Sequence, residues 1–184
     1  MITVAGPINA KNYSWLDTLS PLPRMIVEAR KLLGTMELSG ASNNPVIMAW
    51  ATECGTDVKK VYTADSVPWC GLFMAVVAKR AGKTPPTGPL WALNWGKFGE
   101  PAGQPALGDV LTFIRPGGGH VALYIGEDQT TYHVLGGNQT DQVCFSRMDK
   151  TRLRAARRPL YMSMPTTVKP YIVAAKGGIS TDEN

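Results

Sequence analysis

The stretch "VPWCGLFMAVV", residues 67–77, decides how this chain is read. Pro68 cannot sit inside a helix beyond its first turn, but it suits a helix entry. Leu72, Phe73, Met74, Ala75, Val76, Val77 and Ala78 are apolar almost all the way round, so the helix they form is buried on most sides. The spacing predicts a central helix from about Pro68 to Ala81, with Asp65 or Ser66 as cap and Gly82 as stop. Cys70 then falls in the first turn, where the helix dipole favours a thiolate. The plainer reading, a small hydrophobe in a core, stays open from this stretch alone.

Moving toward the N-terminus, "PRMIVEARKLLG" (23–34) carries Met25, Ile26, Ala29, Leu32 and Leu33 on one helical stripe and ends in Gly34. "ELSGASNNP" (37–45) is loop chemistry, after which Asn44 can cap a helix that starts at Pro45 and ends near Gly55. Residues 56–69 read as an approach to the central helix, and residues 1–22 as an arm without a period. Toward the C-terminus, residues 82–105 form a long connection rich in Pro, Gly and Trp, with one helical turn at "PLWALNW". From residue 108 the period becomes two. "DVLTFIR", "HVALYIG", "TYHVLGG", "QVCFSR" and "RLRAARR" are separated by "PGGG", "EDQ" and "NQTD", which predicts an antiparallel meander of about five strands. Helices first and strands second give an α+β fold. The predicted division is an N-terminal arm at 1–22, one catalytic domain at 23–161 and a tail at 162–184, with one possible strand in "YIVAA".

Composition narrows the function classes. The chain has 184 residues, 44% hydrophobic and 18% charged, as expected of one globular domain. No run reaches the ~18 apolar residues of a membrane span, so stable membrane insertion is not expected. The first residues lack a basic start followed by an apolar core, so the protein is expected to begin in a cytoplasm. The net charge of +5 suits a polyanionic partner, but "KTRLRAARR" (150–158) reads as a strand with a basic face, and no nucleic-acid motif accompanies it. Three cysteines, Cys54, Cys70 and Cys144, make no disulfide framework, and no CxxC supports a zinc site. Neither a metal nor an organic cofactor is expected.

A thiol nucleophile needs a base, and the base an orienting group. Of the two histidines, His120 opens a strand after "PGGG" and can meet the N-terminus of a helix packed on the sheet. His133 lies inside the next strand and should face the other side. Asn138, in "GGNQ", ends that strand close to His120 and can accept a hydrogen bond from the ring. Catalytic roles are therefore expected for Cys70, His120 and Asn138. Cys54 and Cys144 read as packing thiols. The backbone N–H of Cys70 can serve a developing oxyanion, a donor typically worth ~3–4 kcal/mol.

In order and spacing, "NNPVIMAW", "VPWCGLFMAVVAKRAG", "GDVLTFIRPGGGHVALYIGED" and "YHVLGGNQ" resemble the CHAP and NlpC-type cysteine peptidases, and among them a small phage- and prophage-encoded, endolysin-like group. The resemblance covers about residues 23 to 160. It implies a papain-like fold, Cys70 as nucleophile, His120 as base, and Asn138 as third polar group. Many CHAP domains carry a Glu two residues before such an Asn, where this chain has Gly136. The implied activity is hydrolysis of an amide bond in bacterial peptidoglycan: a stem peptide, a cross-bridge or a muramoyl-alanine link. The substrate is expected to lie between "PLWALNWGKF" and the sheet edge, with Trp69, Trp91 and Trp95 packing on it. Delivery from the host cytoplasm to the wall then needs a holin-like pore, lysis or a phage particle. Other readings are a catalytically silent phage structural or wall-binding protein, an interbacterial toxin with the same chemistry, and a zinc amidase using His120, His133 and Cys144.

Overall fold

The structure, a computed structural model, describes residues 10–40 and 42–173. A 3-10 segment, Ala10–Thr18, precedes four helices: α1 (Arg24–Arg30), α2 (Pro45–Cys54), α3 (Thr56–Val61) and α4 (Cys70–Arg80). A second 3-10 segment, Ala92–Lys97, leads into the strands β1 (Glu100–Pro101), β2 (Val110–Arg115), β3 (Gly118–Glu127), β4 (Thr131–Gln139), β5 (Gln142–Asp149) and β6 (Leu153–Arg158). The class is α+β. No helix among the described residues is long and apolar enough to cross a membrane.

The helices form where the sequence carries entry and stop signals. Asn44 caps α2 by accepting the Val46 N–H at 2.8 Å, and Pro45 fills the first position, where its missing N–H costs nothing. α4 starts at Cys70, two residues later than the expected Pro68, and no side chain caps it. Asp65 is instead buried and accepts the N–H groups of Leu38 and Asn44 at 3.1 and 2.7 Å, tying the 37–45 loop to the approach to α4. The short helix α3 was not expected: the chain from Gly55 to Val61 turns once more before reaching Asp65.

β2 to β5 form the expected meander, but the sheet order is β1-β6-β2-β3-β4-β5. β6 crosses back to pair with β2 rather than extending from β5, and the two-residue β1 adds a sixth, edge strand against it. Asp109 shows what holds this return. It is fully buried, accepts both Arg158 Nε at 3.0 Å and an Arg158 terminal nitrogen at 2.8 Å, and takes the Ala106 N–H at 2.9 Å. The "GD" of the sequence is thus a structural bolt between β2 and β6.

Alternation splits the strand residues between two cores. Val121, Leu123, Ile125, Leu135 and Phe145 pack with Leu72, Phe73, Val76 and Val77 of α4. Leu111, Phe113, Ala122, Tyr124, Val134 and Met148 form a separate cluster on the other face. The segments expected as arm and tail both touch the body. Tyr13 and Leu16 are buried, the Tyr13 ring stacking on Phe145 at 4.1 Å. Thr167 donates to the Pro21 carbonyl at 2.5 Å, and the ring of Tyr171 packs against Trp15 at 5.0 Å. Part of the expected "YIVAA" strand lies outside the described residues; within them, Ile172 makes a single parallel bridge to Glu127.

Candidate active site

Cys70 is the first residue of α4 and is 3% exposed. Burial pushes its thiol above the ordinary value. Hydrogen bonds from the backbone N–H groups of Val121, Gly71 and Cys70 itself, together with the Arg115 charge, act in the opposite direction and favour the thiolate. Burial thus works against the thiolate that the helix dipole favours, in a pocket already furnished with donors for it. Val121 directly follows His120, so the sulfur lies against the backbone at the start of β3.

His120 is fully buried and shares its face of the sheet with Ala122 and Tyr124. Its Nε2 lies 3.0 Å from Gln139 Oε1. Gln139 has no freedom to turn its amide round, because its Nε2 donates to the Cys144 carbonyl at 2.6 Å. An amide oxygen only accepts, so His120 Nε2 carries the hydrogen and Nδ1 carries the lone pair. That is the tautomer a general base needs when its other nitrogen is the one held.

Asn138 does not play the orienting part expected of it. Between β4 and β5 the register shifts between Gly136 and Gln139, which is a β-bulge. Strict alternation would put Gly136 and Asn138 on one face. The bulge places Asn138 in the left-handed region, at φ 57°, and turns Gln139 onto the face of Gly136 in its stead. A Cβ on Gly136 would come within 2.7 Å of Gln139 Oε1 and 2.9 Å of the Ala122 Cβ, so the glutamine lies flat over that glycine on its way to His120. Asn138 is buried, and no described group meets its Oδ1. Gln139, not Asn138, is the side chain that reaches His120, and the sequence reading missed it. Its signal was present in "GGNQ", but only a bulge makes the fourth letter rather than the third face the histidine.

The tryptophans divide in the same way. Trp69 and Trp95 are fully buried and have no surface to offer a ligand. Trp69 packs on Trp50 at 6.0 Å, and Trp95 on Phe98 at 5.3 Å. Trp91 alone of the three is exposed, at 59%.

His133 faces the opposite side of the sheet from His120, along with Leu135. Its Nδ1 accepts from the Tyr13 hydroxyl at 2.8 Å, and its Nε2 donates to Asp128 Oδ2 at 3.0 Å. Arg147 and Thr131 complete the ring of donors around the same carboxylate oxygen, at 2.8 and 2.5 Å. Burial opposes the Asp128 charge, but the Thr131, Thr130 and His133 hydrogen bonds outweigh it and hold the carboxyl far below the ordinary range. Cys144 is buried beside Gln139, and Cys54 is half-buried, its thiol pushed up to about 11 by burial. Among the described residues no group of three or more His, Cys, Asp or Glu side chains converges as a metal site would require, and His120 and His133 lie on opposite faces.

No protein-family model matches this chain, and no curated protein matches it. Among solved structures it is similar to a Staphylococcus aureus protein described as similar to a lipoprotein of the NLP/P60 family. The identity is 17% and the TM-score 0.44, over 88% of this chain and 45% of the other, so the chain spans less than half of that protein's length.

Proposed function

We propose that this protein is a thiol amidohydrolase, with Cys70 as nucleophile and His120 as general base, held by Gln139, and that it cuts an amide bond in bacterial peptidoglycan. One observation carries the chemistry: the helix-opening Cys70 thiol receives the Val121 N–H, while the preceding residue, His120, has its Nε2 pinned at 3.0 Å by a glutamine that is itself pinned. In the reaction His120 Nδ1 takes the thiol proton as the sulfur attacks the carbonyl carbon. The resulting oxyanion is met by backbone N–H groups at the start of α4, and the imidazolium then protonates the leaving amine. Water, deprotonated by the same ring, cleaves the thioester. Arg115 and the amides that already favour the thiolate lower the cost of the first proton transfer.

The substrate class is supported by the ordered sequence resemblance and by the +5 charge, which suits an anionic wall. Release from a host cytoplasm through a phage-type lysis route fits the same resemblance. The test is mass spectrometry of muropeptides released from purified sacculi. Wild-type protein is expected to release peptide fragments with new amine ends, and Cys70→Ala to release none while keeping its fold by circular dichroism. Cys54→Ser is expected to stay active. Undiminished release by Cys70→Ala would end the thiol reading.

A silent wall-binding role is the second reading, and the raised Cys70 thiol favours it. The same assay separates the two, because a binder would sediment with sacculi and release nothing.

A further inference from the structure

Gln139 reaches His120 from a strained piece of backbone. Asn138, Thr140 and Asp141, on either side of it, all lie in the left-handed region, at φ 57°, 50° and 58°. Non-glycine residues keep such angles only where the surroundings over-determine them. The pairing of β4 with β5 also slips here, from Gly136 opposite Cys144 to Gln139 opposite Gln142, so a regular ladder does not fix the stretch. Something besides the ladder keeps the Gln139 side chain aimed at the imidazole.

Cys144, on the opposite strand, makes that hold. Its thiol donates to the Gln139 carbonyl oxygen at 3.3 Å, and its own carbonyl oxygen accepts the Gln139 Nε2–H at 2.6 Å. One residue thus grips both the main chain and the side chain of the group that meets His120 Nε2 at 3.0 Å. Gln139 Nε2 also passes the Cys144 sulfur at 3.9 Å, and Thr140 Oγ1 donates to the same Gln139 carbonyl at 2.7 Å. Cys144 is buried, and burial pushes its thiol above the ordinary value, which favours the protonated form that can donate. The bond to the Cys144 carbonyl is open to any residue at this position. The bond from the thiol belongs to this side chain, which packing alone does not explain.

We propose that Cys144 is a positioning residue for His120: its thiol holds the bulge that presents Gln139, and Gln139 sets the imidazole. The consequence for turnover rests on the thiol-enzyme reading, whereas the hold on the ring does not. The experiment therefore reads the ring first, without substrate. Isotope-labelled histidine gives nuclear magnetic resonance signals from two imidazoles, His120 and His133, whose nitrogen shifts report the tautomer. In the wild type His120 is expected as the Nε2–H tautomer. Cys144→Val and Cys144→Ala both remove the donor, one filling the space and one leaving it smaller. Each is expected to speed exchange of the His120 Nε2 proton with solvent roughly three- to tenfold, the worth of one hydrogen bond in a local opening. Cys144→Ser keeps a donor and is expected to stay within about twofold of the wild type. His133, held by Tyr13 and Asp128, is expected unchanged throughout, which shows that a variant has shifted locally and not unfolded. Turnover of sacculi is expected to fall by the same factor in the donor-free variants and to recover in Cys144→Ser. An unaltered His120 ring in the folded donor-free variants, a Cys144→Ser as disturbed as Cys144→Val, or a wild-type ring that already averages between tautomers would overturn the assignment. So would an altered ring beside undiminished turnover. Loss of the enzyme reading is seen elsewhere, in muropeptide release by Cys70→Ala.

Discussion

The two histidines sit on neighbouring strands of one hairpin and have opposite fates. His120, at the start of β3, meets a neutral amide through Nε2 and directly precedes Val121, whose backbone N–H faces the Cys70 thiol. His133, on β4, is held at both nitrogens, by a tyrosine hydroxyl and by a carboxylate that also binds Arg147. A ring held at both ends has no lone pair left for chemistry. It is a rivet, and it fastens the Ala10–Thr18 segment to the far end of the β3–β4 hairpin. His120 is held at Nε2 by an amide oxygen, a partner that cannot take up a proton from the ring. The kind of partner, more than burial, separates the two, since both rings are buried.

The largest test of this contrast is the paired substitution. His120→Ala is expected to lose ~10²–10⁴-fold in turnover of sacculi per folded molecule, beyond any stability lost by emptying its buried position. His133→Ala is expected to keep turnover in the surviving fold and to lose ~1–3 kcal/mol of stability, because the Tyr13 hydroxyl and one Asp128 bond are left unpaired in the interior. Activity and chemical denaturation measured on the same preparations decide it. A dead but stable His133→Ala beside an active His120→Ala would invert the assignment.

A smaller effect sharpens the site itself. Gln139→Ala removes the group that holds His120 Nε2 and is expected to cost about 10–100-fold in kcat, the range found for partners that orient a functional imidazole. Gln139→Asn shortens the reach and should not restore it, whereas Gln139→Glu keeps an acceptor at the same distance and should recover part of the rate with an altered pH profile. Asn138→Gly removes no bond to His120 and relaxes a left-handed residue, so a change within ~1 kcal/mol and near-normal turnover are expected. Equal losses at both positions would mean that the bulge does not divide their roles.

The smallest effect is in pH. Burial lowers the His133 pKa, with Asp128 pulling partly the other way. The unfolded chain therefore binds the proton first. The stability this neutral ring contributes is complete above the unfolded value of ~6.5 and is lost as pH falls through it toward the folded value. Glu37 works in the opposite sense. Burial and a hydrogen bond with Asp141 raise its carboxyl to about 7, so it costs stability as pH rises from its ordinary 4.5 toward that value. The two slopes oppose each other in the wild type, and the quantity to measure is the difference between wild type and His133→Gln. The wild type should lose melting temperature relative to the variant between about pH 7 and pH 5. Parallel curves would show that His133 is not kept neutral by the fold.

Much of this protein can be read from residue order. The apolar run after Cys70, the Pro45 entry behind Asn44, the change of period at residue 108 and the glycine turns all act through local propensity and side-chain periodicity. These are properties of a few adjacent residues, so they survive in a one-dimensional reading. Cys70 at a helix start and His120 and His133 on opposite faces follow from the same rules. What the tertiary structure alone decided are relations between distant segments. The return of β6 to β2 rests on Asp109 meeting Arg158, 49 residues later in the chain. The burial of Trp69 and Trp95 depends on what packs against them, and an indole in a loop carries no mark of which surface it will meet. The exchange of Asn138 for Gln139 came from one extra residue in β4, because a side-chain period of two turns a single-residue slip into a change of face. The burial that raises the Cys70 thiol belongs to the same group. A helix N-terminus is visible in sequence, but its burial depends on distant segments, such as the Pro89 and Leu90 carbonyls that lie against Gly71.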